Sequence, residues 1–244
     1  MTEARSFTTK TTNRPAAEQF ARGLVPYAIA ATVVLIAAGL LAFYYAPNEA
    51  DQGFRQKIFY LHVPMAIVTL GGFVAGGVMA IQYLRTEDPS WDLRSYVAIH
   101  LSLILGVGVL ITGAIWAKTS WGTWWEWKEP TLVSFLIVFL LYAVYQPMRF
   151  SIDDPGRQAR YAAVYAVICG AFVPLNFLAV RLAEPLIHPR VLGTTAGGLT
   201  GEMQVAFYTA LAGFILLYIA LWKFELTAKS ISMQLSKLKA EQNP

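Results

Sequence analysis

The sequence predicts an all-α integral membrane protein: six transmembrane helices, both termini cytoplasmic, and a tryptophan-rich interfacial segment outside. Three observations carry that expectation. Of the 244 residues 56% are hydrophobic and only 14% charged, where an ordinary soluble domain is about 25% charged. Six apolar runs recur, each close to the roughly 20 residues a spanning helix needs. No run carries a charge near its middle. Six spans take up about half the chain, which leaves no room for a large soluble domain. The same composition excludes a disordered or fibrous chain.

The elements follow in order. Residues 1–23 form a polar tail with no apolar segment before Leu24, so they do not read as a signal peptide. Leu24–Ala46 is uncharged and is followed by no soluble domain, so it stays as span one. The other spans are expected over 58–84, 97–117, 131–148, 161–180 and 204–222. Between them, Glu87-Asp88-Pro89 and Asp153-Asp154-Pro155-Gly156 read as turns within the short loops 85–96 and 149–160. Beyond Trp222, residues Phe224, Ala228, Ile231, Leu235 and Leu238 recur at helical spacing with lysines between them. Residues 223–244 therefore read as an amphipathic cytoplasmic tail on the inner membrane surface. The membrane domain is 24–222, and its external tryptophan-rich segment is 119–129.

Basic residues set the orientation. With the N-terminus inside, 13 of the 19 Lys and Arg fall on the cytoplasmic side, among them Arg85, Arg94, Arg149, Arg157 and Arg160. The outer segments hold Arg55, Lys57, Lys118, Lys128, Arg181 and Arg190. This placement explains the net charge of +4 without a nucleic-acid partner; the lipid bilayer is the surface it serves. One cysteine, Cys169, permits neither an intrachain disulfide nor a thiolate cluster.

Residues 121–130 read Trp-Gly-Thr-Trp-Trp-Glu-Trp-Lys-Glu-Pro and hold four of the seven tryptophans. An interfacial aromatic belt takes one or two per helix end, so four in seven positions asks for more. In a helix, Trp121, Trp124, Trp125 and Trp127 would cover an arc of about 160°. That is a platform suited to a large planar apolar ligand, with indole N–H groups free to donate. Lys128 would sit within the arc and Glu126 away from it. Pro130 suits the first turn of the next helix, and Glu129 its positive end. Charges at 118, 126, 128 and 129 place the segment flat at the interface rather than across the bilayer.

Trp121-Gly122-Thr123-Trp124-Trp125-Glu126-Trp127 resembles the WGxWWxWD motif of the haem-handling membrane proteins of cytochrome c biogenesis, and within them the CcmC type. The resemblance extends over nearly the whole chain and departs at one position, where Lys128, followed by Glu129, replaces the motif's Asp. It implies six spans, haem bound at the external tryptophan segment (Trp121, Gly122, Trp124, Trp125, Trp127 and position 128), and one ligating histidine in each flanking external segment. It also implies partners: a CcmE-type haem chaperone as acceptor, CcmA- and CcmB-type ABC transporter subunits, and a small CcmD-type membrane protein. The chain has no GxxxxGK[ST] phosphate loop, so ATP use belongs to a partner.

Of the three histidines, His62 and His188 fall on the tryptophan side and His100 at the opposite end of its span. Across a core of about 30 Å, His100 cannot share an iron with the other two, and it reads as structural. Neutral imidazoles are common iron ligands. His62 and His188 are therefore expected as the two axial ligands of one haem b, held non-covalently because Cys169 has no CxxCH context. Lys128 is the expected propionate partner. The competing readings are a cytochrome b electron-transfer subunit, which usually pairs histidines inside its bundle, and a solute transporter, which usually carries ionisable groups within its spans. No hydrolytic grouping is present, so the chain reads as an assembly factor and not an enzyme.

Overall fold

The computed structural model describes residues 16–184, 186–188, 199 and 201–242. Most of the expected N-terminal tail, together with Pro185, Pro189 and Arg190, lies outside the described residues. The helices are α1 (Ala16–Ala21), α2 (Leu24–Leu40), α3 (Phe59–Thr86), α4 (Pro89–Trp121), α5 (Pro130–Phe150), α6 (Pro155–Leu182) and α7 (Gly201–Gln242). A π-helical turn, Leu41–Tyr45, extends α2, and a 3₁₀ turn, Phe54–Ile58, leads into α3. Six helical segments are long and apolar enough to cross a membrane. Among the described residues the only β pairing is an isolated bridge, Glu49 to Gly53.

Helices α4, α5 and α6 start earlier than the apolar runs because each start carries an acidic cap followed by proline. Asp88, Glu129 and Asp154 sit in extended backbone, and their carboxylates accept the N–H of Ser90, Thr131 and Arg157. Pro89, Pro130 and Pro155 then occupy the first helical position, where a missing N–H costs nothing. Much of the expected loops 85–96 and 149–160 is thereby helical, and only two to four residues turn the chain. The expected tail 223–244 is helical as far as Gln242 and continuous with the last span, since α7 runs unbroken through it. Its Leu226 is fully buried against Val97 and Leu101 of α4. Lys223 donates to the Arg22 carbonyl at 2.7 Å, which ties α7 to the chain beside α1 at the same end of the bundle.

α3 is the central helix, packing on α4, α6 and α7. Small residues permit the approach: a Cβ on Gly77 would stand 3.1 Å from the Gly170 Cα of α6, the close backbone contact that membrane helices use in place of a hydrophobic drive. Above this contact the Phe73 and Tyr142 rings stack at 3.9 Å, and the Tyr142 hydroxyl donates to the Phe73 carbonyl. At the far end of the bundle from the tryptophans, Arg149 grips Asp92 with two bonds of 2.6 and 2.7 Å. His100 bonds Glu225 there at 2.7 Å. On α4, His100 precedes Trp116 by about 24 Å of helix, so the expected separation of His100 from the other two histidines is realised.

Candidate functional site

At the tryptophan end the bundle is not filled. A partly open cleft of about 250 Å³ lies between α3 and α4 on one side and α5 and α6 on the other. Its walls are apolar, with Val63, Ala66, Leu70, Val109, Phe135, Val138 and Val173 running down to the Phe73–Tyr142 layer. Polar chemistry is confined to a few groups: His62, His188, Asn176, Thr131, Ser134, Arg181 and the indoles of Trp116, Trp121 and Trp125. A mostly apolar pocket with few oriented polar groups is the usual form of a binding site for a small ligand.

His62 comes from the first turn of α3. Its Nδ1 lies 2.9 Å from the Thr112 hydroxyl of α4, and that hydroxyl donates to the Gly108 carbonyl at 2.8 Å. Gly113 leaves room for the ring: a Cβ there would meet His62 Cε1 at 2.9 Å. Trp116, one turn further along α4, packs edge-on to His62 with centroids 5.8 Å apart. It packs edge-on to His188 as well, at 6.4 Å. Trp121 contacts His188 from another side at 6.2 Å. The two histidines thus face one indole, although they stand far apart in sequence. The Trp116 Nε1–H donates to Gln52 Oε1 at 2.8 Å, which fixes that indole against the outer connection.

The tryptophan segment is not a helix, so the expected indole arc does not form. α4 ends at Trp121 because Gly122 takes a left-handed conformation, φ 79°, which costs other residues about 1 kcal/mol or more. Residues 123–129 then run as irregular chain, turned by the Thr123 hydroxyl on the Trp125 carbonyl and by Glu126 Oε1 accepting the Lys128 N–H. Trp125 returns to the cleft wall. Its indole N–H is buried and has no hydrogen-bond partner among the described residues. Trp127 packs against Trp125 at 5.9 Å with most of its own surface exposed, and Trp124 is exposed too.

Of the residues expected from sequence, the fold therefore brings His62, His188, Trp121 and Trp125 to the cleft. It leaves Trp124, Trp127, Gly122 and Lys128 outside it. Lys128 is exposed. Among the other cations, Lys57 is buried and donates to the Ala46 carbonyl at 2.6 Å, and Arg55 donates to the carbonyls of Gln52 and Thr119. Arg181 is the described cation that lines the cleft. Sequence reading missed Trp116, Thr112 and Asn176, because each sits inside an apolar run where nothing distinguishes it; Arg181 stood among the outer cations, with nothing to mark it out from Lys128. The one available signal was Trp116, at the same end of the same helix as Trp121.

Glu129 is the further polar group. Its side chain is fully buried. One oxygen accepts the Thr131 N–H that begins α5. The other accepts three successive N–H groups, from Leu186 at 3.0 Å, Ile187 at 2.9 Å and His188 at 3.1 Å. Burial opposes its ionisation, but the amides of Ile187, His188, Thr131 and Leu186 outweigh it and hold the carboxyl below its ordinary value.

Among the described residues no three His, Cys, Asp or Glu side chains gather as for a bare metal ion. Two imidazoles beside indoles suit instead a planar group that brings its own equatorial ligands. Comparison with known proteins agrees with this chemistry. The family model described as CcmC, Heme exporter protein C, matches residues 7–241. Proteins named Heme exporter protein C are similar along most of their length. That of Paracoccus denitrificans is 29% identical over 225 residues, 90% of this chain and 92% of its own. That of Rhodobacter capsulatus is 32% identical over 205 residues, 81% of this chain and 83% of its own. That of Bradyrhizobium diazoefficiens is 33% identical over 202 residues, 81% of this chain and 75% of its own.

Proposed function

The chain belongs to the haem exporter protein C family, and on that premise we propose that it holds haem b in the cleft and hands it on for cytochrome c maturation. One observation carries the reading: His62 and His188, from distant segments, line one cleft, and each packs against the Trp116 indole. The haem is cargo, bound without a covalent link and ligated by the two imidazoles. The residues present fit it. The walls are apolar, two indoles flank the His188 ring, an unpaired Trp125 N–H offers a donor, and Arg181 offers a cation for a propionate.

The division of the tryptophans supports delivery as well as binding. Trp125 faces the cleft, while Trp124 and Trp127 are 59% and 72% exposed. Exposed indoles beside a bound macrocycle give an acceptor a surface to dock on. The acceptor is a CcmE-type chaperone, and CcmA-, CcmB- and CcmD-type subunits supply the ATP-driven step. The lysine and arginine bias supports a site that faces outward from the cytoplasmic membrane.

The test is a visible spectrum of the purified protein loaded with haemin. His62→Ala and His188→Ala each lose the low-spin bis-imidazole spectrum, and added imidazole restores it. The double variant loses it altogether, and His100→Ala keeps it. An unaltered low-spin spectrum in the double variant would overturn the ligand assignment. The orientation is tested by an impermeant thiol reagent on single cysteines at 123–128 in a Cys169-free background, where labelling from the cytoplasmic side alone would reverse it.

A further inference from the structure

Buried carboxylates are rare unless paired, and Glu129 is a fully buried one whose hydrogen bonds go to backbone amides. Three consecutive N–H groups converging on one oxygen form an anion nest of the kind that usually takes a phosphate. Here the anion is built into the chain. Charge-assisted bonds of this kind are about twice as strong as neutral ones, so the segment 186–188 is fastened to the N-terminus of α5 by one side chain. The fastening acts on the residue that matters, because the last of the three amides belongs to His188 itself. The segment has left α6, which ends at Leu182, and His188 also meets the indole edges of Trp116 and Trp121.

We propose that Glu129 is the positioning residue for His188: it holds the 186–188 segment so that the imidazole stands over the cleft opposite His62, and without it the second axial position is lost. The proposal rests on the reading of His188 as a haem ligand. The side chain at 129 spans two elements at once, capping α5 with one oxygen and clamping the ligand segment with the other. A neutral amide of the same size cannot do this. Gln at 129 presents one acceptor and one donor where four N–H groups need acceptors.

The experiment uses the full chain, purified in detergent and titrated with haemin, with apo-protein homogeneity and thermal unfolding measured alongside. Glu129→Gln converts the low-spin spectrum to that of His188→Ala, weakens haemin binding by about 10- to 100-fold as loss of an orienting partner does, and is rescued by external imidazole. Glu129→Asp keeps the charge with shorter reach and falls between parent and Gln. A parent-like spectrum in Glu129→Gln beside an altered one in His188→Ala overturns the clamp and leaves the ligand reading standing. An unaltered His188→Ala spectrum overturns the ligand reading, and the clamp with it. Loss in Glu129→Gln that imidazole does not restore also overturns the proposal, since the damage then extends beyond the axial position. Should Glu129→Gln fail to give homogeneous apo-protein, Glu129→Asp decides: weakened, imidazole-rescued binding supports the clamp and parent-like binding overturns it.

Discussion

The Nδ1 of His62 and the hydroxyl of Thr112 lie 2.9 Å apart across the interface of α3 and α4. When the Thr112 hydroxyl donates to the Gly108 carbonyl, 2.8 Å away, it accepts in turn from the imidazole Nδ1–H. That leaves the Nε2 lone pair for a ligand. Partners of this type fix the tautomer and the ring orientation of ligating histidines.

Thr112→Val removes that partner while keeping the side-chain shape. Haemin binding is expected to weaken by about 10- to 100-fold, with the apo-protein unfolding close to the parent temperature. Equal affinity in the two proteins, measured by spectral titration, would deny Thr112 this role.

Gly113→Ala places a methyl group against the His62 ring, 2.9 Å from Cε1 as the backbone stands. The ring is held by Thr112 and Trp116 and has little room to yield. The low-spin spectrum is expected to be lost or broadened, and external imidazole to restore it only in part, since the new methyl also narrows the cleft. A low-spin spectrum identical to that of the parent would show that His62 moves freely.

Arg181 lines the cleft and Lys128 stands outside it. Arg181→Gln should weaken haem retention, and the parent's retention should fall with salt more steeply than that of the variant, because a partly exposed ion pair is screened. Lys128→Gln should have the smaller effect. The reverse order in a dialysis assay at low and high salt would return the propionate role to Lys128.

At the other end of the bundle, Arg149→Met leaves the part-buried Asp92 without its cation, and breaking a fully buried pair costs about 3–5 kcal/mol, an upper limit for this one. The double variant Arg149→Met, Asp92→Leu should recover most of that loss, as replacing a whole buried pair by apolar groups is often neutral. Thermal unfolding in detergent of the single and double variants tests this. Equal destabilisation of both would show that the pair does not act as a unit.

The sequence by itself determined the membrane class, the six spans and the end of the bundle that carries the chemistry. These follow from composition, from the length of each apolar run and from the side on which His62, His188 and the tryptophans fall, all of which are local properties of the chain. It also marked Pro130 and Glu129 as a helix start, because an acidic cap followed by proline is legible in any context. Which indoles face the cleft was decided only by tertiary structure. The helical arc failed because Gly122 ends α4, and beyond it the path of the chain depends on bonds to residues far away in sequence. Trp116 and Thr112 looked like ordinary members of apolar helices until helix packing set both against His62. Glu129 shows the limit most plainly. Its cap to Thr131 lies two residues away and could be read, while its clamp on His188 joins residues 59 apart in the chain. Only the fold of α5 against the end of α6 brings those together.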